Sequence, residues 1–237
     1  MEKKELLYEG KAKRVYCTDD SEKLIVSYKD DATAFNGLKK GSIAGKGIVN
    51  NRMSNLLMSR LEQAGIPTHF IEELNERETL VRRVSIVPLE VVVRNISAGS
   101  FSRLYGVEEG IRFAKPVIEF CYKNDALKDP LICSSAAEAL GLASDEEIMS
   151  IKSYAQRVNI WLQQFWNKRG VTLVDFKLEF GRTADGSLIL ADEISPDTCR
   201  LWDSSTQEKL DKDRFRRDLG KVEEAYQEIM RRVLETC

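Results

Sequence analysis

An acid, a base and an acid on alternate positions of one apolar strand constrain this chain more than any other feature. In Leu173-Val174-Asp175-Phe176-Lys177-Leu178-Glu179-Phe180-Gly181-Arg182 the pattern repeats every two residues. Val174, Phe176, Leu178 and Phe180 share one face of a β-strand, and Asp175, Lys177 and Glu179 share the other. Asp185-Gly186 then reads as a two-residue hairpin turn into a second strand, Leu188–Ile194. With that turn, Glu179 stands directly opposite Asp192 on the charged face. Side chains facing each other across a hairpin have Cβ atoms roughly 4.5–5.5 Å apart, and like charges there weaken the sheet. A hard divalent cation such as Mg²⁺, which takes oxygen ligands, would resolve the conflict. A solvated face with splayed carboxylates, or a bulge that shifts the register, would resolve it too. Lys177, one pleat away, favours the cation, because a metal-binding pair beside a lysine suits a nucleotide phosphate.

The chain has 237 residues, enough for one large domain or two small ones, with 43% hydrophobic and 31% charged residues and a net charge of −2. That balance excludes bulk attraction to nucleic acid or an anionic membrane, so any basic site is local. No apolar run spans a bilayer, and Met1-Glu2-Lys3-Lys4-Glu5 leads into a strand rather than a signal segment, so a cytoplasmic protein is expected. The five cysteines, Cys17, Cys121, Cys133, Cys199 and Cys237, contain no C-x-x-C pair, which argues against a disulfide framework or a zinc site. The single histidine, His69, is read as structural.

The N-terminal part reads as strands at Glu5–Glu9, Arg14–Thr18 and Lys23–Lys29, then a Gly- and Lys-rich loop from Asn36 to Gly47, of which Gly41–Gly47 could serve as a lid. A helix follows with Val49, Met53, Leu56, Leu57, Leu61 and Ala64 at helical spacing, stopped by Gly65 and Pro67. Thr79–Val87 and Leu89–Ile96 read as strands separated by Pro88. Ser97–Gly106 is a loop entering a short helix, and Pro116–Tyr122 a strand. Ser144-Asp145-Glu146-Glu147 is a capping box opening a long helix that Gly170 ends. After the acidic hairpin a last helix is expected from about Asp213 to Leu234. The predicted class is α+β in two lobes: residues 1–88, β-rich, and residues 89–237, a sheet covered by helices, with the ligand cleft between them.

Gly10-Lys11-Ala12-Lys13-Arg14 lies at a hairpin tip, where glycine permits close backbone approach and the lysines can neutralise phosphate; it also fits an ordinary solvated turn. Neither it nor Gly41-Ser42-Ile43-Ala44-Gly45-Lys46-Gly47 matches a Walker A motif, and without H-R-D or D-F-G the chain is no ordinary protein kinase. Arg94, at the end of a hydrophobic strand, can grip a carboxylate or phosphate bidentately, or make a surface salt bridge. Ser195-Pro196-Asp197-Thr198-Cys199-Arg200 follows the hairpin and brings Arg200 towards Lys177 and Asp192. Tyr122-Lys123-Asn124-Asp125 and Lys128-Asp129-Pro130 form a further polar cluster. Together these describe a metal–nucleotide enzyme acting on an anionic small molecule.

Several of these segments occur in the same order as motifs of one family. Tyr8-Glu9-Gly10-Lys11-Ala12-Lys13, Gly45-Lys46-Gly47 with Asn50-Asn51, Val92-Val93-Arg94-Asn95, the Asp175–Gly181 strand, Asp192-Glu193-Ile194-Ser195-Pro196-Asp197 with Arg200-Leu201-Trp202-Asp203, and Asp211–Arg216 resemble the single-domain bacterial SAICAR synthetases over essentially the whole chain. The resemblance implies a kinase-like N-terminal sheet. It also implies an ATP-dependent ligase of purine synthesis that joins L-aspartate to carboxyaminoimidazole ribotide through an acyl phosphate, with Mg²⁺. In that reading Lys11, Ala12 and Lys13 cover the ATP phosphates beside Val15, with Lys123 nearby. The Arg82–Ile86 stretch meets adenine, and Glu179 and Asp192 hold the metal and nucleotide. Arg94, Ser100 and Arg200 bind the ribotide's anions, and Asp129, Asp175 and Lys177 lie at the reacting imidazole. Members of the family are often homodimers. One segment departs: Cys133-Ser134-Ser135-Ala136-Ala137 stands where the family has an acidic stretch with a histidine. A small-molecule kinase on the same lobes, or a non-catalytic nucleotide-binding module, are the alternatives.

Overall fold

A computed structural model describes residues 1–34 and 37–235; Asn36, where the Gly/Lys-rich loop was placed to begin, and Cys237 lie outside them. The N-terminal part contains β1 (Lys3–Glu9), β2 (Lys13–Thr18), β3 (Lys23–Tyr28), β4 (Asp31–Ala34), β5 (Lys39–Ser42), α1 (Lys46–Gln63), β6 (Phe70–Glu73) and β7 (Glu78–Arg82). Five of these strands form an antiparallel sheet in the order β1-β2-β3-β7-β6, and β4 and β5 form a separate hairpin. Leu24, Val26, Tyr28 and Val81 make its small core, with Val15 packed on it. The segment expected to be an open loop up to Gly47 is therefore, where described, a hairpin that runs into a helix. Asp30 fixes that junction by accepting from Gly47 N (2.8 Å) and from Arg77 Nη1 (2.8 Å). A Cβ at position 47 would stand 2.8 Å from the Tyr28 carbonyl oxygen, which explains the glycine.

The rest of the chain contains β8 (Ser85–Ile96), α2 (Gly99–Tyr105), β9 (Arg112–Tyr122), a 3-10 turn at Asp125–Leu127, β10 (Leu131–Ile132), α3 (Ser134–Ala139), α4 (Asp145–Asn167), β11 (Val171–Arg182), β12 (Leu188–Ala191), β13 (Cys199–Asp203), α5 (Asp213–Arg216) and α6 (Val222–Leu234). The second sheet runs β10-β9-β8-β11, and β12 and β13 share the far edge of β11. The capping box forms as expected: Glu147 N donates to Ser144 Oγ (3.2 Å) and Ser144 N donates to Glu147 Oε2 (2.9 Å). The helix it starts lays Ile148, Ile151, Ala155, Val158 and Leu162 on the sheet's apolar side, against Val91, Val93, Phe176, Leu178 and Phe180. Truncating one of these buried aromatics to alanine costs about 3–5 kcal/mol. Met53, Leu57 and Leu61 of α1 join the same core, so this helix ties the two sheets together.

Five sequence expectations need correction. Pro88 does not separate two strands; it lies within β8, beside an irregularity in the β8–β11 register between Glu179 and Gly181, where its missing N–H disturbs the ladder least. Val174 does not share a core with Phe176, because a bulge between Leu173 and Asp175 sends Leu173 into the main core and Val174 to a cluster with Ile96, Ala98 and Trp202. The segment after the acidic hairpin is not simply loop, since β13 pairs with β11. The last helix is two, broken where Asp218, Gly220 and Lys221 adopt left-handed backbone (φ 54°, 68° and 49°). Finally, the hairpin turn has three residues. Thr183 N donates to Ser187 O (3.0 Å) around Ala184-Asp185-Gly186, with Gly186 at φ 83° and Asp185 Oδ1 accepting from Ser187 N. The register slips by one, and Glu179 faces Ala191 rather than Asp192.

Candidate active site

The charged face of β11 is the spine of the site. Asp175 is paired on both flanks, with Arg94 on β8 and with Arg200 on β13. Three adjacent strands thus place Arg, Asp and Arg side by side. Arg94 Nη1 donates to Asp175 Oδ2 (2.9 Å), Arg200 Nη1 donates to the same oxygen (2.8 Å), and the rest of Arg94 is held by Glu119 (2.6 Å) and Ser100 (2.9 Å). Arg200 Nε is held by Asp213 (2.8 Å). Gly99 is required beside it, since a Cβ there would collide with the Arg200 guanidinium. The resulting pocket, about 200 Å³, is lined by Arg94, Ser100, Asp175, Lys177, Arg200 and Arg216, with Glu90 and Thr198.

On the other side of Lys177 lies a second cavity, about 190 Å³, between the two sheets. Val15, Leu24, Val26, Val81 and Ile86 give it apolar walls, and Lys13, Lys123, Glu179 and Asp192 give it a charged end. Slipped register notwithstanding, the two acids converge. Asp192 leaves β12 at φ 59°, a left-handed backbone that Asp adopts more readily than most residues. This swings its carboxylate to Lys177, whose Nζ lies 2.5 Å from Glu179 Oε1, 3.2 Å from Asp192 Oδ2 and 3.3 Å from Glu90 Oε1. Lys13 also pairs with Asp192, and Lys123 with Glu179. Burial lowers the Lys13 and Lys177 ammoniums, but the surrounding carboxylates outweigh it and hold both above their ordinary values. Burial likewise raises Asp192, and Lys13 and Lys177 outweigh it, keeping that carboxylate well below its usual range.

The cavity between the sheets brings together Lys13, Val15, Arg82, Ile86, Lys123, Glu179 and Asp192, and the arginine-lined pocket Arg94, Ser100, Asp175, Lys177 and Arg200. Lys11 stands outside, where its Nζ meets Asp125 Oδ1 (3.1 Å), and the Ala12 carbonyl accepts from Lys29 N (2.8 Å). The Arg82 guanidinium is engaged by Glu62 (2.9 Å) and the Thr68 carbonyl (2.5 Å). Asp129 lines neither cavity; its carboxylate accepts from Asn124 N (2.9 Å) and shapes the 123–130 loop.

Sequence reasoning missed Glu90, Glu119, His69 and Arg216. Glu90 had a signal: Val87, Leu89, Val91 and Val93 are buried, so Glu90 and Arg94 share the other face of β8. It stands opposite Glu179 across β8 and β11, so the facing like-charged pair does exist, on the other side of β11 from where it was sought. His69 lines the cavity between the sheets, and burial, reinforced by Lys13, lowers its imidazole to about 4.

Among the described residues no group of three His, Cys, Asp or Glu side chains forms a closed metal site. Glu179 and Asp192 nevertheless fit Mg²⁺, which is commonly held by one or two carboxylates together with substrate phosphates. In this structure their oxygens pair with Lys13, Lys123 and Lys177.

An apolar slot ending in lysines and acids is joined through Lys177 to an arginine-lined pocket in a two-lobed α+β fold, an arrangement with room for two adjoining ligands. The SAICAR synthetase family model matches residues 6–233. A phosphoribosylaminoimidazole-succinocarboxamide synthase of Lachnoclostridium phytofermentans is 61% identical over 98% of this chain and 99% of its own length. The solved structure of the Ehrlichia chaffeensis synthase superimposes with a TM-score of 0.95 at 45% identity, covering 98% of this chain and all of that one. A SAICAR synthetase in complex with ADP gives 0.93 at 48% identity, over 96% and 97% of the two chains. The chain belongs to the SAICAR synthetase family.

Proposed function

We propose that the chain is an ATP-dependent ligase joining L-aspartate to the carboxylate of carboxyaminoimidazole ribotide, releasing ADP and phosphate. One observation carries this reading: Lys177 lines the anion pocket and is ion-paired to both acids of the nucleotide cavity. A group at that position can accompany a phosphoryl group from one cavity to a carboxylate in the other. A relative 61% identical is named for a succinocarboxamide product, and one 48% identical is seen with ADP.

The apolar slot takes the adenine, with Val15 and Ile86 as walls and the Arg82–Ile86 stretch alongside. Lys11, Ala12 and Lys13 close over the phosphates, with Lys123. Glu179 and Asp192 would hold Mg²⁺, whose charge would offset that on the transferring group. Arg94, Ser100 and Arg200 hold the ribotide. Asp175 orients both arginines, Asp129 shapes the loop carrying Lys123, and Lys177 faces the reacting carboxylate. The carboxylate attacks the γ-phosphorus, ADP leaves, and the amine of aspartate displaces phosphate from the acyl group. Positioning and charge neutralisation supply the catalysis. The division into lobes 1–88 and 89–237, the first chiefly holding nucleotide and the second ribotide, belongs to the same reading. A coupled assay for ADP tests it: turnover is expected only when ribotide and L-aspartate are both present, and steady ADP release without aspartate would refute it.

A further inference from the structure

Both oxygens of the Asp192 carboxylate carry an ammonium in this structure: Lys13 pairs with Oδ1, and Lys177 Nζ lies 3.2 Å from Oδ2. A cation that binds Asp192 must displace one of them. Lys177 has other seats, since Glu179 and Glu90 already stand 2.5 Å and 3.3 Å from its Nζ. Lys13 has one other carboxylate partner among the described residues, Glu193, whose Oε1 lies 3.5 Å from its Nζ.

The backbone explains how Glu193 reaches Lys13. Consecutive residues of a strand point to opposite faces. The left-handed conformation of Asp192 (φ 59°) breaks that alternation just past β12, and the two neighbouring acids converge on one ammonium. The pairing with Glu193 is incomplete. Its separation exceeds the roughly 2.7–2.9 Å of a charge-assisted hydrogen bond. Glu193 is only 4% exposed, and its Oε2 is buried with no hydrogen-bond partner among the described residues. A buried carboxylate oxygen left in that condition is costly, and it calls for a partner that arrives in another state of the protein. Two ammoniums act on this carboxylate, Lys13 and Lys46. Lys46 is fully buried and committed to Asp197 Oδ2 (3.0 Å). The Lys13 side chain is 17% exposed and lines the cavity between the sheets, so Lys13 is the one with room to shift.

We propose that Glu193 is a positioning residue, a second seat for the Lys13 ammonium. When a metal–nucleotide claims Asp192, Lys13 turns from Asp192 to Glu193. That turn clears the Asp192 carboxylate and keeps the ammonium paired at the charged end of the cavity. The inference rests on the reading of Glu179 and Asp192 as metal ligands. It accounts for two adjacent acids on one lysine.

The test measures ADP binding by calorimetry, in EDTA and in Mg²⁺, for the parent, Glu193→Gln, Lys13→Met and the double variant. The quantity of interest is the factor by which Mg²⁺ tightens ADP. In Glu193→Gln that factor is expected to fall about tenfold, with ADP affinity in EDTA within about twofold of the parent. In the Lys13→Met background, where no Lys13 ammonium sits on Asp192, Glu193→Gln should change it by less than about twofold. An unchanged factor in Glu193→Gln overturns the proposal. Equal losses in both backgrounds overturn it too, because they mark a merely structural role. Should Glu193→Gln fail to fold, Glu193→Asp decides: its carboxylate stands one methylene back, so a loss of about threefold or more supports the second seat and an unchanged factor refutes it. A parent whose ADP affinity is indifferent to Mg²⁺ would strike the metal reading itself, and this proposal with it.

Discussion

The nucleotide cavity and the anion pocket share a strand but are built from different cations. The first is a lysine site: Lys13, Lys123 and Lys177 lie on Glu179 and Asp192, each a point charge on a flexible stem. The second is an arginine site. Arg94 is fixed by Glu119, Asp175 and Ser100, and Arg200 by Asp175 and Asp213, through planar forks whose direction is set before ligand arrives. Ammoniums exchange partners easily, whereas guanidiniums held on several edges do not. The difference separates transfer from retention. On the proposed reading, groups that can let go of carboxylates stand where metal and phosphates would come and go, and groups that cannot stand where the ribotide would be held still.

Lys177→Met would break this comparison most severely, because it removes a cation that lines the anion pocket and pairs with both acids of the other cavity. Turnover should fall by roughly 10³-fold or more in an ADP-release assay; a loss below tenfold would leave the cavities unconnected. Asp192→Asn should lower kcat by about 10²–10³-fold and shift the Mg²⁺ titration to higher concentrations, and an unchanged titration would remove Asp192 from the metal. Arg94→Lys should leave ATP KM alone and raise ribotide KM by about tenfold or more. Arg94→Ala should also cost about 3–5 kcal/mol in a denaturant melt, because Asp175 and Glu119 lose a buried partner. The smallest effect concerns His69. Its folded imidazole protonates near 4, against an ordinary value of 6.5. The unfolded chain therefore takes up a proton first as pH falls, and stability is lost between pH 6.5 and 4, by at most about 3 kcal/mol. His69→Gln should flatten that part of the stability–pH profile, and an unaltered profile would contradict the buried neutral imidazole.

Features that depend on a few consecutive residues were legible. The alternation in β11, the Ser144 capping box and the helix stop at Gly65 all appear in the structure. So does the meeting of Glu179, Asp192 and Lys177, although for a different reason from the one the strand pattern suggests. A two-residue Asp-Gly turn and a three-residue turn ending in Gly look alike in sequence, and the choice moves every cross-strand partner by one. The left-handed backbone at Asp192 recovers the convergence, and no local pattern announces it. The Arg94–Asp175–Arg200 row was equally hidden, since it needs β8 and β13 on opposite edges of β11, residues distant in the chain. Glu90 was available from the alternation of β8 but lay between apolar residues that suggested only core. The break between α5 and α6 was obscured because Phe215 and Val222 keep helical spacing across it.

The central claim is that a phosphoryl group passes at Lys177 to the ribotide carboxylate. Ribotide labelled with ¹⁸O in both carboxylate oxygens tests it directly, by mass analysis of the phosphate released in a single turnover with ATP and aspartate. The account predicts that each phosphate carries one ¹⁸O atom and that the amide product retains one. Unlabelled phosphate would contradict it.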